Sequence, residues 1–367
     1  MTQRKNIIQM LALLGLALIT GCAAPKYISK DFDADKVGAV ACLPCIDARA
    51  RPDPKHDFKY FGSQATAAVV CGTKFGRRYQ LVYTTYIGDV AEYSAKVIEP
   101  APDKHADPAV VKQMGPPAAK WVLVPVCEDL NHWNALLAQG ASAKISLYLF
   151  NKETGELWWK GCGAASESYG FLISGIAELF DKYAYENDVI MMAGSTASGT
   201  LPRPKSAAIK AGRGYFFNRG TVQTAAGLQR IAVTPTIDGR RRISEKNPYE
   251  PKPFQDKIVK VLCGKGFDAA PVDSYGQQTV PSKEQVSFAD VAFGKSLGID
   301  GYRYVMVPVA EEMGRFPRFG HFCEATMYLF DTATGEVIWQ GTSFDSSPEG
   351  SIKALGKGFP KRKTLPK

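Results

Sequence analysis

The stretch YLFDTATGEVIWQG, Tyr328 to Gly341, decides the reading of this chain, because nearly the same string, YLFNKETGELWWKG, stands at Tyr148 to Gly161. Each reads as a β-hairpin: an apolar run ends at Phe150 or Phe330, a polar Asx-x-x-Thr-Gly segment follows, and a second apolar run closes it. Gly155 and Gly335 supply the positive φ that such a hairpin loop needs. A single hairpin of this kind is common, and its neighbours carry the argument further. Upstream of each lies a matched strand, WVLVPVCED from Trp121 and YVMVPVAEE from Tyr304, and a matched helix end, VVCGTKF from Val69 and VLCGKGF from Val261. Earlier still come AVACLPCIDAR from Ala39 and RIAVTPTIDGR from Arg230, both containing Pro-x-Ile-Asp-x-Arg. Four landmarks in one order, about 180 to 190 residues apart, imply an internal duplication.

The expected fold class is therefore α/β, two tandem copies of a small mixed-sheet β-α-β-α-β-β-β domain. The first repeat spans 36–169 and the second 228–347, with an amphipathic segment and linker at 170–227 and a basic tail at 348–367. With 367 residues, 45% of them hydrophobic, the chain can bury two cores of ordinary size. The first copy orders as strand (Val37 to Leu43), helix (Ser63 to Cys71), strand (Tyr79 to Tyr86), an irregular or helical segment, strand (Trp121 to Cys127) and hairpin. In the second, Phe254, Ile258, Val261 and Leu262 mark one face of the first helix, and Gly72 and Gly264 stand where a terminating glycine belongs. Between the copies, Phe171 to Met192 reads as an amphipathic stretch and Gly194 to Pro204 as linker.

The amino terminus reads as a targeting segment, residues 1–21. Arg4 and Lys5 precede the mostly apolar run Ile7 to Ile19, too short to span a bilayer comfortably, and Ile19-Thr20-Gly21-Cys22 closes it. Those four residues resemble a bacterial lipobox, which implies a diacylated Cys22 as the first mature residue; Ala23 rather than Asp after it favours the outer membrane, on the periplasmic side. Residues 22–35 then form a tether reaching at most about 50 Å. Removing residues 1–21 lowers the formal charge from +9 to +7, which suits anionic surfaces such as lipid headgroups, acidic glycans or an acidic partner; nucleic acid is not expected in that compartment.

Candidate chemistry is sparse. Cys42-Leu43-Pro44-Cys45 is a possible thiol pair, but it ends a strand rather than opening a helix, and its counterparts are Val233 and Thr236. Seven cysteines follow Cys22, and an exported chain has room for one to three disulfides. His56, His105, His132 and His321 are scattered, and neither a nucleotide loop nor a metal motif is present, so no cofactor and no metal are expected and the chain reads as a non-enzyme. Asp47 with Arg49, and Asp238 with Arg240, Arg241 and Arg242, lie beyond the first strand of each copy, where α/β sheets bind ligands. The preferred local account is an Asp accepting backbone N–H bonds in a turn beside an exposed Arg; the alternative is a basic surface for an anionic envelope glycan. The acidic pairs Glu128-Asp129 and Glu311-Glu312 read as structural or solvent-facing. Tyr148 and Phe150, and Tyr328 and Phe330, alternate with leucine and methionine, so the hairpins are apolar on both faces; if helices cover one face, these four residues form an interface with another copy or a partner.

A first strand ending in Pro, a Gly-closed helix, a WVLVPV-type strand and a Thr-Gly-Glu hairpin resemble a group of bacterial envelope domains that includes the amino-terminal domain of TolB, CsgG, PelC and LpoB, a group similar to anticodon-binding domains. The resemblance covers nearly all of each copy. It implies non-catalytic work: ring assembly around export machinery, or contact with an envelope enzyme. The chain departs from the channel-forming member in lacking a visible pair of alternating strands of about 9 to 11 residues, and from the synthase activator in its short tether. The sequence thus points to a lipid-anchored adaptor or assembly module, with an envelope protein or a second copy as partner.

Overall fold

The computed structural model describes residues 26–50, 75–76, 78–101, 104–135, 138–170, 183–204, 209–211, 214–217, 230–240, 251–316, 320–345 and 347–359. The fold is mixed α/β, with two open mixed sheets and few helices. The chain divides into two compact units, Met1–Lys205 and Ser206–Lys367.

In the first unit the strands are β1 (Tyr27–Ile28), β2 (Val40–Cys42), β3 (Ile46–Asp47), β4 (Leu81–Tyr83), β5 (Trp121–Ala135), β6 (Ala138–Asn151) and β7 (Glu156–Gly170); the helices are α1 (Ala95–Ile98), α2 (Pro108–Gln113) and α3 (Tyr183–Gly199). The sheet order is β1-β7-β6-β5-β2-β4, with β3 also on β5. The second unit contains β8 (Ile209–Ala211), β9 (Gly214–Phe217), β10 (Arg230–Val233), β11 (Ile237–Asp238), β12 (Asp268–Pro271), β13 (Tyr304–Phe316), β14 (Gly320–Asp331) and β15 (Glu336–Asp345), with α4 (Pro251–Cys263), α5 (Lys283–Ser287), α6 (Val291–Ser296) and α7 (Pro348–Gly358). Its order is β12-β10-β13-β14-β15-β9-β8, with β11 on β13. In both, the strands before the hairpins pair in parallel and the hairpin strands antiparallel.

The prolines shared by the two units explain how a central strand tolerates them. Cys42 pairs with Leu123 and Ile46 with Val126, so the β2–β3 chain spends one residue more than β5 and bows away at Pro44. Leu43 N–H donates to Leu123 O and Ala48 N–H to Cys127 O, which places Pro125 opposite the bow, where no N–H is required. Val233↔Met306 and Ile237↔Val309 repeat the arrangement with Pro235 and Pro308. Just beyond, each long strand carries a bulge, at Glu128 between Cys127 and Asp129 and at Glu311 between Ala310 and Glu312.

The hairpin glycines have φ of +81° at Gly155 and +79° at Gly335. Both turns are also packed against helices: a Cβ on Gly155 would lie 2.6 Å from Pro108 at the start of α2, and one on Gly335 2.2 Å from Val291 O at the start of α6. These helices cover the sheet face opposite to the other helical layer. In the second unit, α4 and α7 cover Ile231, Met306, Met327, Leu329 and Trp339, while Val286, Phe293 and Leu297 cover Val307, Tyr328 and Phe330.

Several boundaries differ from the sequence expectation. The 14- and 15-residue hairpin strands β5, β6 and β7 run well past the expected end at Cys127, because the bulge re-aims the strand without ending its pairing. The Gly/Ser/Thr run after Met192 is not linker: it is helical through Gly199, with Val189, Ile190, Ala193 and Ala197 buried on β6 and β7. Two glycines in β7 permit that approach, since a Cβ on Gly163 would lie 2.0 Å from Ala193 O and one on Gly161 2.6 Å from Ala197 O. Arg78 donates to Ser198 O and Leu201 O, and Tyr79 Oη to Pro202 O, so the segment is fixed to Pro202. Likewise the start of the basic tail is α7, capped by Ser347 and anchored by Ile352, Leu355 and Phe359, whose ring meets Trp339 edge-on at 4.7 Å. Within the expected linker, β9 extends the second sheet along β15. After α4 the positive-φ glycine is Gly266, not Gly264. The signal segment with Cys22, the helix expected at Ser63 to Cys71 with Gly72, and residues 171–182 lie outside the described residues.

Candidate functional site

The Asp-x-Arg motifs are closed clamps. Arg49 Nε donates to Asp47 Oδ1 at 2.8 Å and Nη2 to Oδ2 at 2.7 Å, while Arg49 N–H also donates to Oδ1. Arg240 repeats this on Asp238 at 2.7 and 2.8 Å. Both arginine side chains are only 4% exposed, which corrects the expectation of an exposed Arg. Burial works against ionisation of Asp47 and Asp238, but the guanidinium and backbone hydrogen bonds outweigh it and hold both carboxyls below the usual range. A bidentate pair turned inward leaves neither Arg49 nor Arg240 to a glycan; Arg241 and Arg242 lie outside the described residues.

The aromatic quartet is likewise internal. Tyr148, Phe150, Tyr328 and Phe330 are all buried within their own units, so they do not form the exposed interface expected of them. The physical reason is the second helical layer: a sheet with helices on both faces buries both alternations of each strand. Tyr148 Oη donates to Glu99 Oε2, and burial followed by that carboxylate pushes the phenol well above its ordinary value.

Three core thiols are held away from the thiolate form. Leaving the strand at Leu43 and rejoining at Ile46 brings Cys42 and Cys45 into one core cluster with Cys127. Burial, then Cys127, pushes Cys45 well up; burial pushes Cys127 to about 12 and Cys323 to about 11. Among the described residues Cys45, Cys127, Cys162, Cys263 and Cys323 form no disulfide, and Cys71 lies outside them. Among the described residues no group of three or more His, Cys, Asp or Glu side chains could hold a metal ion.

What the sequence did not disclose is a polar cleft of about 420 Å³ on the first unit, lined by Lys26, Tyr27, Glu99, His105, Glu128, Lys144, Ser146, Lys160 and Cys162. The bulge aims Glu128 into it, β6 contributes Lys144 and Ser146, β7 Lys160 and Cys162, and the residue after α1 contributes Glu99. Ser146 Oγ donates to Glu128 Oε1 at 2.5 Å and Lys144 pairs with Oε2. Burial opposes ionisation of Glu128, yet those two donors hold it below the usual carboxylate range and Glu128 in turn raises Lys144. Lys160 bonds both oxygens of Glu99 at 2.5 and 2.6 Å and lies 5.0 Å from the Tyr148 ring centre. Tyr27 packs on His105 with ring centres 4.8 Å apart, and burial lowers His105, leaving it neutral at pH 7. Strand alternation could have grouped Lys144, Ser146, Lys160 and Cys162; only the register and the α1 turn bring Glu99, Lys26 and His105 to them.

Lys26 and Tyr27 arrive because the expected tether is docked. Lys26 N–H donates to Lys160 O and Ser29 N–H to Trp158 O, making β1 an edge strand on β7. The reach from Cys22 to the sheet is then about 14 Å, not 50 Å.

The class defined so far is a mixed α/β fold of two units, one bearing a charged cleft beside its amino-terminal strand. No family model and no curated protein matches the chain. Solved structures similar to part of it include the PelC dodecamer from Paraburkholderia phytofirmans (16% identity, TM-score 0.25, 35% of this chain and 87% of the other). Lipoprotein GNA1162 from Neisseria meningitidis (17%, 0.23, 39% and 97%) and the LpoB C-terminal domain from Salmonella enterica (16%, 0.25, 35% and 90%) are similar in the same partial way. At such scores the likeness carries no argument about function.

Proposed function

We propose that the chain is a lipid-anchored envelope protein, held at the outer membrane on its periplasmic side through Cys22, whose two units are tandem copies of one β-α-β-α-β-β-β domain acting as a non-catalytic assembly or adaptor module. The observation that carries the anchored reading is β1: four residues beyond the lipobox cysteine the chain is already paired with β7, so acylation would keep the first unit at the bilayer surface. The shared strand order, the paired prolines and the bulges at Glu128 and Glu311 support duplication. The non-catalytic reading is supported by the fate of the groups the sequence offers for chemistry: Cys42 and Cys45 are buried and the Asp–Arg pairs are closed.

The test is radiolabelled palmitate incorporation with membrane fractionation, followed by light scattering of the detergent-extracted protein and crosslinking in cells. Label lost in Cys22→Ser, with a discrete oligomer or one reproducible partner adduct, is the expected result. Wild-type protein without label overturns the anchor, and a monomer without adducts overturns the adaptor role.

A further inference from the structure

The cleft on the first unit has a counterpart in the second, and there the place is filled from within. Glu311 occupies the same bulge as Glu128, and Thr326, Tyr328, Gln340 and Thr342 stand in register where the first unit has Ser146, Tyr148, Lys160 and Cys162. Lys283, from the first turn of α5, lays its ammonium 2.9 Å from Glu311 Oε2, with both side chains only 6% and 7% exposed. From the same helix, Ser287 Oγ meets Tyr328 Oη at 2.8 Å. The bulge carboxylate of this fold is thus a receptor for a primary ammonium, supplied in the second unit by the chain itself.

In the first unit the ammonium on Glu128 comes from Lys144 on the neighbouring strand, a half-exposed side chain in place of a buried one. The Lys283 stem runs over Gly239, where a Cβ would approach its Cδ to 2.9 Å. The residue in the corresponding place, between Asp47 and Arg49, is Ala48. Glu128 instead faces an open cleft, sharing its oxygens with Ser146 and with a Lys144 side chain that is 51% exposed. Across the cleft stand Lys26 and Lys160; Lys160 is matched by Glu99, whereas Lys26 has no carboxylate partner among the described residues. Three lysines against two glutamates, with a neutral His105, leave the lining one positive charge in excess. A volume of about 420 Å³ is within the roughly 300–1,000 Å³ of small-ligand pockets.

We propose that this cleft binds a phosphoethanolamine-type group, its ammonium on Glu128 and its phosphate on Lys26 and Lys144. The ammonium follows from the Glu311–Lys283 pair, with the half-exposed Lys144 giving way on Glu128; the phosphate follows from the lysine excess, since Lys26 and Lys144 are point charges on flexible stems that suit a phosphate oxygen cluster. The source of that group could be a phospholipid headgroup or a soluble ester. The headgroup source rests on the anchored reading, because β1 would hold the cleft within about 14 Å of an acylated Cys22; the cleft itself does not depend on acylation.

The experiment uses the full chain carrying Cys22→Ser, titrated with glycerophosphoethanolamine, glycerophosphocholine and glycerophosphoglycerol by calorimetry, with protection of Cys162 from alkylation located by mass spectrometry. The ethanolamine ester is expected to bind at least tenfold tighter than the choline ester, which cannot donate to Glu128, and to protect Cys162. Glu128→Gln should abolish that preference, and Lys26→Met, at an exposed position that does not threaten folding, should weaken binding of all three esters. Flotation with phosphatidylcholine vesicles, with and without half phosphatidylethanolamine, separates the sources: selective flotation identifies the lipid, and binding of the soluble ester alone identifies a soluble ligand. Equal affinity for ethanolamine and choline esters, or an unprotected Cys162 with no vesicle preference, overturns the proposal. Loss of palmitate label at Cys22 in the wild type would sink the anchored reading while leaving these affinities untouched.

Discussion

Lys283→Met removes the ammonium from Glu311 while keeping most of the side-chain volume. Both groups are more than nine-tenths buried, and their contact at 2.9 Å is an ion contact rather than an aligned hydrogen bond. Leaving one member of such a pair alone costs about 3–5 kcal/mol, because the remaining charge keeps its desolvation penalty and loses its compensation. At about 1.4 kcal/mol per decade, 3 kcal/mol lowers the folding constant of the second unit roughly 150-fold. The double variant Lys283→Met with Glu311→Leu removes both charges and should return to within about 1 kcal/mol of the wild type. Urea-dependent alkylation read by mass spectrometry measures this unit by unit: Cys323, 1% exposed in the second core, reports its opening, and Cys42 and Cys45 report the first unit in the same sample. A single-variant cost below about 1 kcal/mol, or a double variant no better than the single, would refute the claim that the bulge carboxylate depends on a bound ammonium.

Gly163→Ala should destabilise the first unit by about 1–3 kcal/mol, since its methyl would fall 2.0 Å from Ala193 O and lift α3 from β7; hydrogen exchange of α3 peptides unchanged from the wild type would refute the close packing. Asp47 and Asp238 titrate below their unfolded value of about 3.9, so their contribution is complete above that pH and is lost as the pH falls through the lower folded value. Asp47→Asn should therefore flatten the acid limb of the stability profile of the first unit below about pH 4, and an acid limb identical to the wild type would count against the clamp.

Much of the fold was legible because β-hairpins are local. Tyr148 to Gly161 and Tyr328 to Gly341 announce two strands and a positive-φ turn from alternation and one glycine, and the strand before each is apolar enough to be found unaided. The site was not legible in the same way. Glu128 looked like one of two adjacent acids on a strand, and only the bulge turns it into a cleft with Lys144 and Ser146. Asp47 and Arg49 were visible as a motif, but whether the guanidinium faces solvent or its own carboxylate is set by burial against the strand beside it.

The sequence by itself determined the strand and hairpin order of each unit and the placement of prolines at the bowed strands, because these depend on residues near one another in the chain. Tertiary structure alone decided the rest. α3 exists because Gly161 and Gly163 let a helix of small residues approach β7, which no helical periodicity in Gly194 to Gly199 reveals. The aromatic rows became core because second helices landed on them, and the first unit kept an open cleft because a half-exposed Lys144, not a buried lysine such as Lys283, meets its bulge carboxylate. Each of these outcomes turns on contacts between residues far apart in sequence.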